Sequence, residues 1–174
     1  MCACDSISVK LVRAGIDDAP EIHAMQLRAF FPLYMKYRDD ETSPTMEPVE
    51  EVRARLAQQE TSFFFIDCAG RHVGAIRVQK RGDACRISPV FILPEEQGRG
   101  YAQQALHLVE QCFPDARCWQ LNTILQEPGN CHLYEKLGYV RTGRYHDVNE
   151  RMTLVDYEKR ISTNPSREFP KSTE

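Results

Sequence analysis

The stretch Ile87–Ala105, ISPVFILPEEQGRGYAQQA, decides how this chain is read. An apolar strand runs into Leu93-Pro94, the loop Glu95-Glu96-Gln97-Gly98-Arg99-Gly100 follows, and a helix opens directly behind it. Strand, glycine loop and helix N-terminus in succession make an anion site. The first helical N–H groups have no partner inside the helix and point out of its end, and the helix dipole adds about half a positive charge there. Glycines at 98 and 100 remove the Cβ atoms that would hold a phosphate off the backbone, and Arg99 is placed to add a charge. No Lys-Ser/Thr pair follows the glycines, so the loop is not a Walker A loop. Gln103 stands where a G-x-G-x-x-G motif would carry its third glycine. Glycine turns before helices are common, and the pattern alone leaves a plain turn open.

Working outward, residues 101–113 form an amphipathic helix with Ala102, Ala105, Leu106, Val109, Cys112 and Phe113 on one face. Upstream, 61–68, 72–80 and 84–92 read as three strands joined by turns at Ala69-Gly70-Arg71 and Arg81-Gly82-Asp83. Residues 7–13 alternate as a strand. Asp17 to Glu21 start a helix carrying Ile22, Met25, Leu27, Ala29 and Phe30. Phe31 to Tyr37 is aromatic and apolar, RDDETSPTMEP behind it reads as a loop, and 48–59 as a second helix. Downstream come a strand at 117–124, a short helix from Cys131 to Leu137 closed by Gly138, and strands at 139–147 and 150–158. The order β-α-α-β-β-β-α-β-α-β-β predicts an α/β (mixed α+β) fold with helices on both faces of a mixed sheet. The domain is expected over 1–161, with 162–174 a polar, mobile tail.

A second motif, Asn130-Cys-His-Leu-Tyr-Glu-Lys-Leu-Gly-Tyr139, follows the strand at 117–124. With it the sequence resembles the GNAT superfamily of N-acetyltransferases, which use acetyl-CoA. Gln97, Gly100 and Ala102 match that family's Gln/Arg-x-x-Gly-x-Gly/Ala loop. Ile92-Leu93-Pro94 matches the strand end before it, and Leu133 to Tyr139 matches the later Leu-Tyr-Glu-Lys-Leu-Gly-Phe signature. The resemblance implies a mostly antiparallel sheet of six to seven strands, splayed where the cofactor lies. It assigns the pantetheine to Phe91, Ile92 and Leu93, and the pyrophosphate to Gln97, Gly98, Arg99, Gly100, Tyr101 and Ala102. Asn130 corresponds to the asparagine that bonds the CoA arm, although it stands closer to Tyr134 than the family's usual spacing; a loop asparagine in a Pro-Gly-Asn turn is the other reading. Tyr134 corresponds to the tyrosine that protonates the leaving thiolate. A phenol of pKa about 10 is protonated at neutral pH and suits that role. The structural alternative is an amphipathic tyrosine with its ring in the core.

Other assignments are less constrained. Some family members carry a glutamate base on the strand before the loop, but Arg86 holds that position here. Glu127, near the end of the next strand, is the available carboxylate; a solvated loop glutamate with a water chain as base is the other reading. Arg77, Arg86 and Ser88, on adjacent strands, are expected near an acceptor groove, where an arginine would bind a carboxylate or phosphate bidentately; an exposed strand charge or a salt bridge is the alternative. Tyr34 and Tyr37, with Asp39 or Asp40 to pair a cationic amine, either line an acceptor pocket or form a hydrophobic lid. Cys131 reads as packing rather than as a nucleophile. The acceptor is expected to be a small-molecule or peptidyl amine. The competing function is a catalytically silent CoA sensor.

Composition narrows the partners. The chain has 174 residues, 42% hydrophobic and 27% charged, with a net charge of −3. No basic field draws it to nucleic acid, and no apolar run approaches the roughly 20 residues of a membrane helix. The seven cysteines include no C-x-x-C pair and no zinc-ligand spacing, so neither a disulfide framework nor a metal is expected. The N-terminus lacks a signal-peptide pattern. A cytoplasmic protein, open to homodimerisation, is the expectation.

Overall fold

A computed structural model describes residues 8–162. The strand read at 7–13 is β1, Val9–Arg13, and the expected tail lies outside the described residues from position 163 onward. The elements then run α1 (Ala19–Tyr37), α2 (Val49–Leu56), β2 (Thr61–Cys68), β3 (Arg71–Arg81), β4 (Ala84–Ile92), α3 (Tyr101–Cys112), β5 (Cys118–Ile124), α4 (Pro128–Lys136), β6 (Val140–Asn149) and β7 (Met152–Arg160). They build a seven-stranded sheet in the order β1-β2-β3-β4-β5-β7-β6. Every pairing is antiparallel except β4 with β5. The mixed, mostly antiparallel fold read from the sequence is therefore the fold observed.

Two cores lie on the two faces of the sheet. On one side Ile22, Met25 and Ala29 of α1 and Val52 of α2 pack on Phe63, Phe65, Ala75, Phe91 and Leu93. On the other, Tyr101, Ala105, Leu106 and Val109 of α3 and Tyr134 of α4 pack with Phe64, Ile66, Val78, Ile87, Trp119 and Tyr157. Side chains alternate between faces along a strand. Phe63-Phe64-Phe65-Ile66 is apolar throughout because both faces are covered.

Two helices depart from the sequence reading. α1 continues through Phe31–Tyr37, with Pro32 inside it. Proline removes one helical hydrogen bond, but Met25, Ala29, Leu33 and Tyr37 recur every fourth residue and keep one face against the protein. The helix stops at Arg38, which adopts φ 53° and donates its N–H to the Tyr34 carbonyl at 2.8 Å. α4 opens at Pro128, not at Cys131, so Pro128-Gly129-Asn130 is its first turn and no loop. Proline suits that position because the first helical N–H has no partner in any case.

Candidate active site

The site begins where β4 and β5 part. Their parallel ladder holds only three pairs, Ala84 with Cys118, Cys85 with Trp119 and Arg86 with Gln120. Beyond it β5 stays paired to β7 through Ile124, while β4 stays paired to β3 through Ile92. The sequence supplies a reason in Pro89. It has no N–H to give a ladder, and it sits in a two-residue irregularity of β4, between the Ile76–Val90 and Val78–Ile87 pairs. Such a bulge bends the strand and raises its twist.

The gap is a cleft of about 320 Å³, within the size range of small-ligand sites. Arg86, Ile87, Ser88, Pro89 and Val90 form one wall and Leu121, Asn122, Thr123 and Ile124 the other. Phe30, Leu33 and Tyr34 of α1 cover one side, while Asn130 and Tyr134 of α4 close the opposite side.

The open edge of β4 offers backbone groups. The Leu93 N–H is bonded to the Val73 carbonyl at 2.8 Å. Backbone groups alternate sides along an antiparallel pair, so those of Phe91 also serve β3 and those of Val90 and Ile92 turn to the gap. The Ile92 carbonyl is already engaged by Gln97 Nε2 at 3.1 Å. Phe91, Ile92 and Leu93 are buried, so what this segment offers the gap is strand backbone rather than side-chain surface. Behind this edge, a Cβ on Gly74 would stand 2.2 Å from the Phe91 carbonyl oxygen. Only glycine lets β3 lie this close.

At the end of the same edge lies the glycine loop. Gly98 and Gly100 adopt φ of 76° and 77°, the left-handed region that glycine enters without penalty. A Cβ at either would meet no protein atom within 4 Å, so the backbone conformation accounts for both glycines without any crowding by the protein. Gln104 N–H makes an early helical bond to the Gly100 carbonyl at 3.1 Å, and the amides of Tyr101, Ala102 and Gln103 point out of the helix end. The side chains are otherwise engaged. Gln97 braces the loop to β4, and Arg99 lies 3.2 Å from the buried Glu96, which Arg71 also approaches at 3.1 Å. The Tyr101 hydroxyl accepts from Cys68 Sγ at 3.4 Å. What the loop leaves open is therefore its backbone amides.

Tyr134 lies in a cluster of aromatic rings, 6.1 Å from Tyr139 and 6.0 Å from Tyr157 between centroids. Tyr139 donates to Glu110 and Tyr157 to Glu135, at 2.9 and 2.8 Å. The Tyr134 hydroxyl makes no such bond among the described residues, and its residue lines the cleft. Burial, aided by Cys131, pushes its phenol up to about 12. Asn130, four residues earlier, shares its helix face and lines the same cleft. Cys131 is buried, its Sγ turned toward the Ile124 and Leu125 carbonyls, as a packing residue should be.

Other expected residues stand elsewhere. Glu127 does not line the cleft. It precedes α4 and accepts hydrogen bonds of 2.5 Å from Lys36 Nζ and from the Tyr37 hydroxyl. Burial works to raise its carboxyl, but the hydrogen bonds from Lys36 and Tyr37 prevail and hold it below the usual range. A carboxylate so held is a poor proton acceptor, and its evident work is to fasten the end of α1. Tyr37 is buried in that contact and does not line the cleft. Tyr34 does, with its hydroxyl on Asp40 Oδ1 at 3.0 Å. Asp39 also lines it, but both its oxygens cap its own turn, accepting from the N–H groups of Glu41 and Thr42 and the Thr42 hydroxyl. Arg86 lines the cleft, whereas Arg77 stands beside it. The sequence reading missed Asn122, Thr42, Ser43, Met152 and Leu154; only the alternation of β5, which turns Asn122 away from buried Leu121 and Thr123, carried any signal.

A family model described as the acetyltransferase (GNAT) domain matches residues 33–161. No curated protein matches the sequence. Among solved structures, the ribosomal-protein-S18-alanine N-acetyltransferase from Escherichia coli has a TM-score of 0.72 at 14% identity, covering 92% of this chain and 99% of its own. Spermidine N-acetyltransferase from Vibrio cholerae, in complex with CoA and spermine, has a TM-score of 0.69 at 18% identity, covering 87% and 94%. The PaiA N-acetyltransferase from Thermoplasma acidophilum, in complex with coenzyme A, has 0.65 at 12%, covering 89% and 100%. Splayed strands, glycine-turned helix end and family match agree: this chain belongs to the GNAT acetyltransferase family.

Proposed function

We propose that the protein moves the acetyl group of acetyl-CoA to the primary amine of a small-molecule or peptidyl acceptor by direct attack. The observation that carries this is the cleft between β4 and β5, bounded on one side by free strand backbone and on another by the Tyr134 hydroxyl. The backbone of Val90 and Ile92 would hold a pantetheine arm, and the amides of residues 98–102 a pyrophosphate, with Asn130 a further polar contact. Acetyl-CoA supplies the activated acyl carbonyl. An N–H of β4 aimed at the carbonyl oxygen stabilises charge developing there. Tyr134 keeps its proton at neutral pH and gives it to the departing sulfur. Asp39 is committed to its own turn and Glu127 to Lys36, so the proton of the attacking amine passes to solvent.

A cytoplasmic site of action belongs to the same reading. Cys68, Cys85, Cys112, Cys118 and Cys131 are free thiols, as reducing compartments maintain them, and no described helix is long and apolar enough to cross a membrane. Homodimerisation is a separate proposal, checked by sedimentation.

The test is calorimetric titration with CoA, followed by thiol release from acetyl-CoA across a panel of primary amines. CoA uptake with amine-dependent release is the expected outcome. No uptake at millimolar CoA would overturn the site, and uptake without release for any amine would leave a silent sensor.

A further inference from the structure

The α1 side of the cleft holds two arginines with which no carboxylate of the described residues forms an ion pair. Arg86 lies at the fork of β4 and β5, in their last parallel pair, and lines the cleft. Arg77 of β3 stands opposite the Ser88–Pro89 bulge, and both bulge residues are cleft residues. Each arginine alternates with residues of the α3–α4 core, so both face the α1–α2 side. Neither makes a hydrogen bond or ion pair among the described residues, and the Arg77 Nε is enclosed with no partner. Burial first, and then the nearby Arg55, lower the Arg77 guanidinium to about 10, with Glu47 acting against them and Arg81 and Arg86 adding to the fall. Neither of the neighbouring carboxylates, Glu47 and Asp39, forms an ion pair with them. Glu47 takes Arg55 through two hydrogen bonds of 2.6 and 2.7 Å, and Asp39 caps its turn.

A guanidinium drawn partly out of water with no counter-charge is unfavourable, and an anionic ligand relieves it. We propose that the acceptor is an amine bearing a carboxylate, which Arg86 binds with Arg77 behind it while the amine reaches the gap beside Tyr134. This rests on the acetyltransferase reading above. The planar guanidinium matches a carboxylate with two parallel hydrogen bonds. Along β4 the path from Arg86 to Ser88–Val90 is roughly 7–13 Å at about 3.3 Å per residue. That distance is covered by an arginine side chain plus an α- or short ω-amino acid. Among the residues lining the cleft the one carboxylate is Asp39, whose single charge is held by its own turn, so a polycation is disfavoured.

The experiment compares initial rates of acetylation for matched amines: phenylalanine with phenylalaninamide, β-alanine with β-alaninamide, and phosphoethanolamine as the phosphate counterpart. A charge-assisted pair predicts that the best acid exceeds its amide in kcat/KM by roughly 10- to 100-fold. Arg86→Gln should bring that ratio toward one, chiefly through KM on the acid, and Arg86→Lys should restore part of it. Thermal melts confirm that the variants fold, and the wild-type ratio needs no variant. Transfer to amides as fast as to acids would overturn the proposal and leave the acetyltransferase reading standing. Phosphoethanolamine outrunning every carboxylate would overturn the carboxylate assignment. If no amine is acetylated, N-acetyl amino acids titrated into the CoA complex decide the matter: Arg86-dependent binding supports the site, and no binding overturns it.

Discussion

Replacing Tyr134 with phenylalanine removes one oxygen from a buried ring, and the surroundings of that oxygen predict an unusual split between stability and rate. The residue is 6% exposed, and its hydroxyl is bonded to no described residue. Tyr134→Phe therefore loses no internal hydrogen bond, and stability should change by less than about 0.5 kcal/mol, or roughly 2 °C in Tm for a chain of this length. Tyr139→Phe is the control. Its hydroxyl donates to Glu110, which also receives Lys159 Nζ at 2.7 Å. Losing a hydrogen bond to a charged group costs about 1.5–3 kcal/mol, a fall of roughly 3–12 °C. The rates should run the other way. Loss of a general acid lowers kcat about 10²- to 10⁴-fold, whereas Tyr139→Phe should stay within about threefold of wild type where it remains folded. The assay is thiol release from acetyl-CoA with a saturating amine, alongside thermal melts. The pH dependence supplies a further check. With its phenol raised to about 12 by burial, Tyr134 stays protonated through the working range, so no alkaline fall in rate below about pH 11 belongs to it. Stability has a related signature. Below pH 10 the raised phenol has no effect; from about pH 10 toward 12 the unfolded chain ionises first and stability falls. Retention of near-wild-type kcat in Tyr134→Phe, or an equal loss in Tyr139→Phe, would refute the assignment of the acid.

Three further outcomes follow from single contacts. Gly74→Ala places a Cβ within 2.2 Å of the Phe91 carbonyl oxygen; displacing backbone to relieve it should cost about 1–3 kcal/mol and weaken CoA binding measured by calorimetry, and an unchanged melt would show that β3 has room to move. Gly100→Ala forces a side chain into φ 77°; it should cost about 1–2 kcal/mol and lower CoA affinity, and unchanged affinity would remove the loop conformation from the binding account. Glu127→Gln should lower Tm by releasing Lys36 while leaving the shape of the pH–rate profile intact; disappearance of an acid limb would make Glu127 the base after all. Because its carboxyl is held below 4.5, the stability that Glu127 contributes should persist above that pH and be lost as the pH falls through its folded value.

The element order, the glycine loop, the helix behind it and the tyrosine of the second motif are legible along the chain, because these are local patterns. Periods of 2 and 3.6, and glycines at fixed offsets, act between residues a few positions apart. Where the local signals competed, the tertiary structure chose. Phe31–Tyr37 read as a separate apolar segment, yet the face carrying Leu33 and Tyr37 packs well enough for α1 to continue across Pro32. Pro128-Gly129-Asn130 had turn chemistry, yet it opens α4 and brings Asn130 onto the face of Tyr134. Other features had no local signal at all. Glu127 meets Tyr37 across 90 positions of chain, a contact that no local pattern announces. Gly74 resembles any strand glycine until β4 is laid against it, and Arg77 and Arg86 look like ordinary surface charges until neither is seen to find an ion-pair partner among the described residues. Burial and pairing are properties of neighbours brought together by folding, and a linear pattern records only neighbours along the chain.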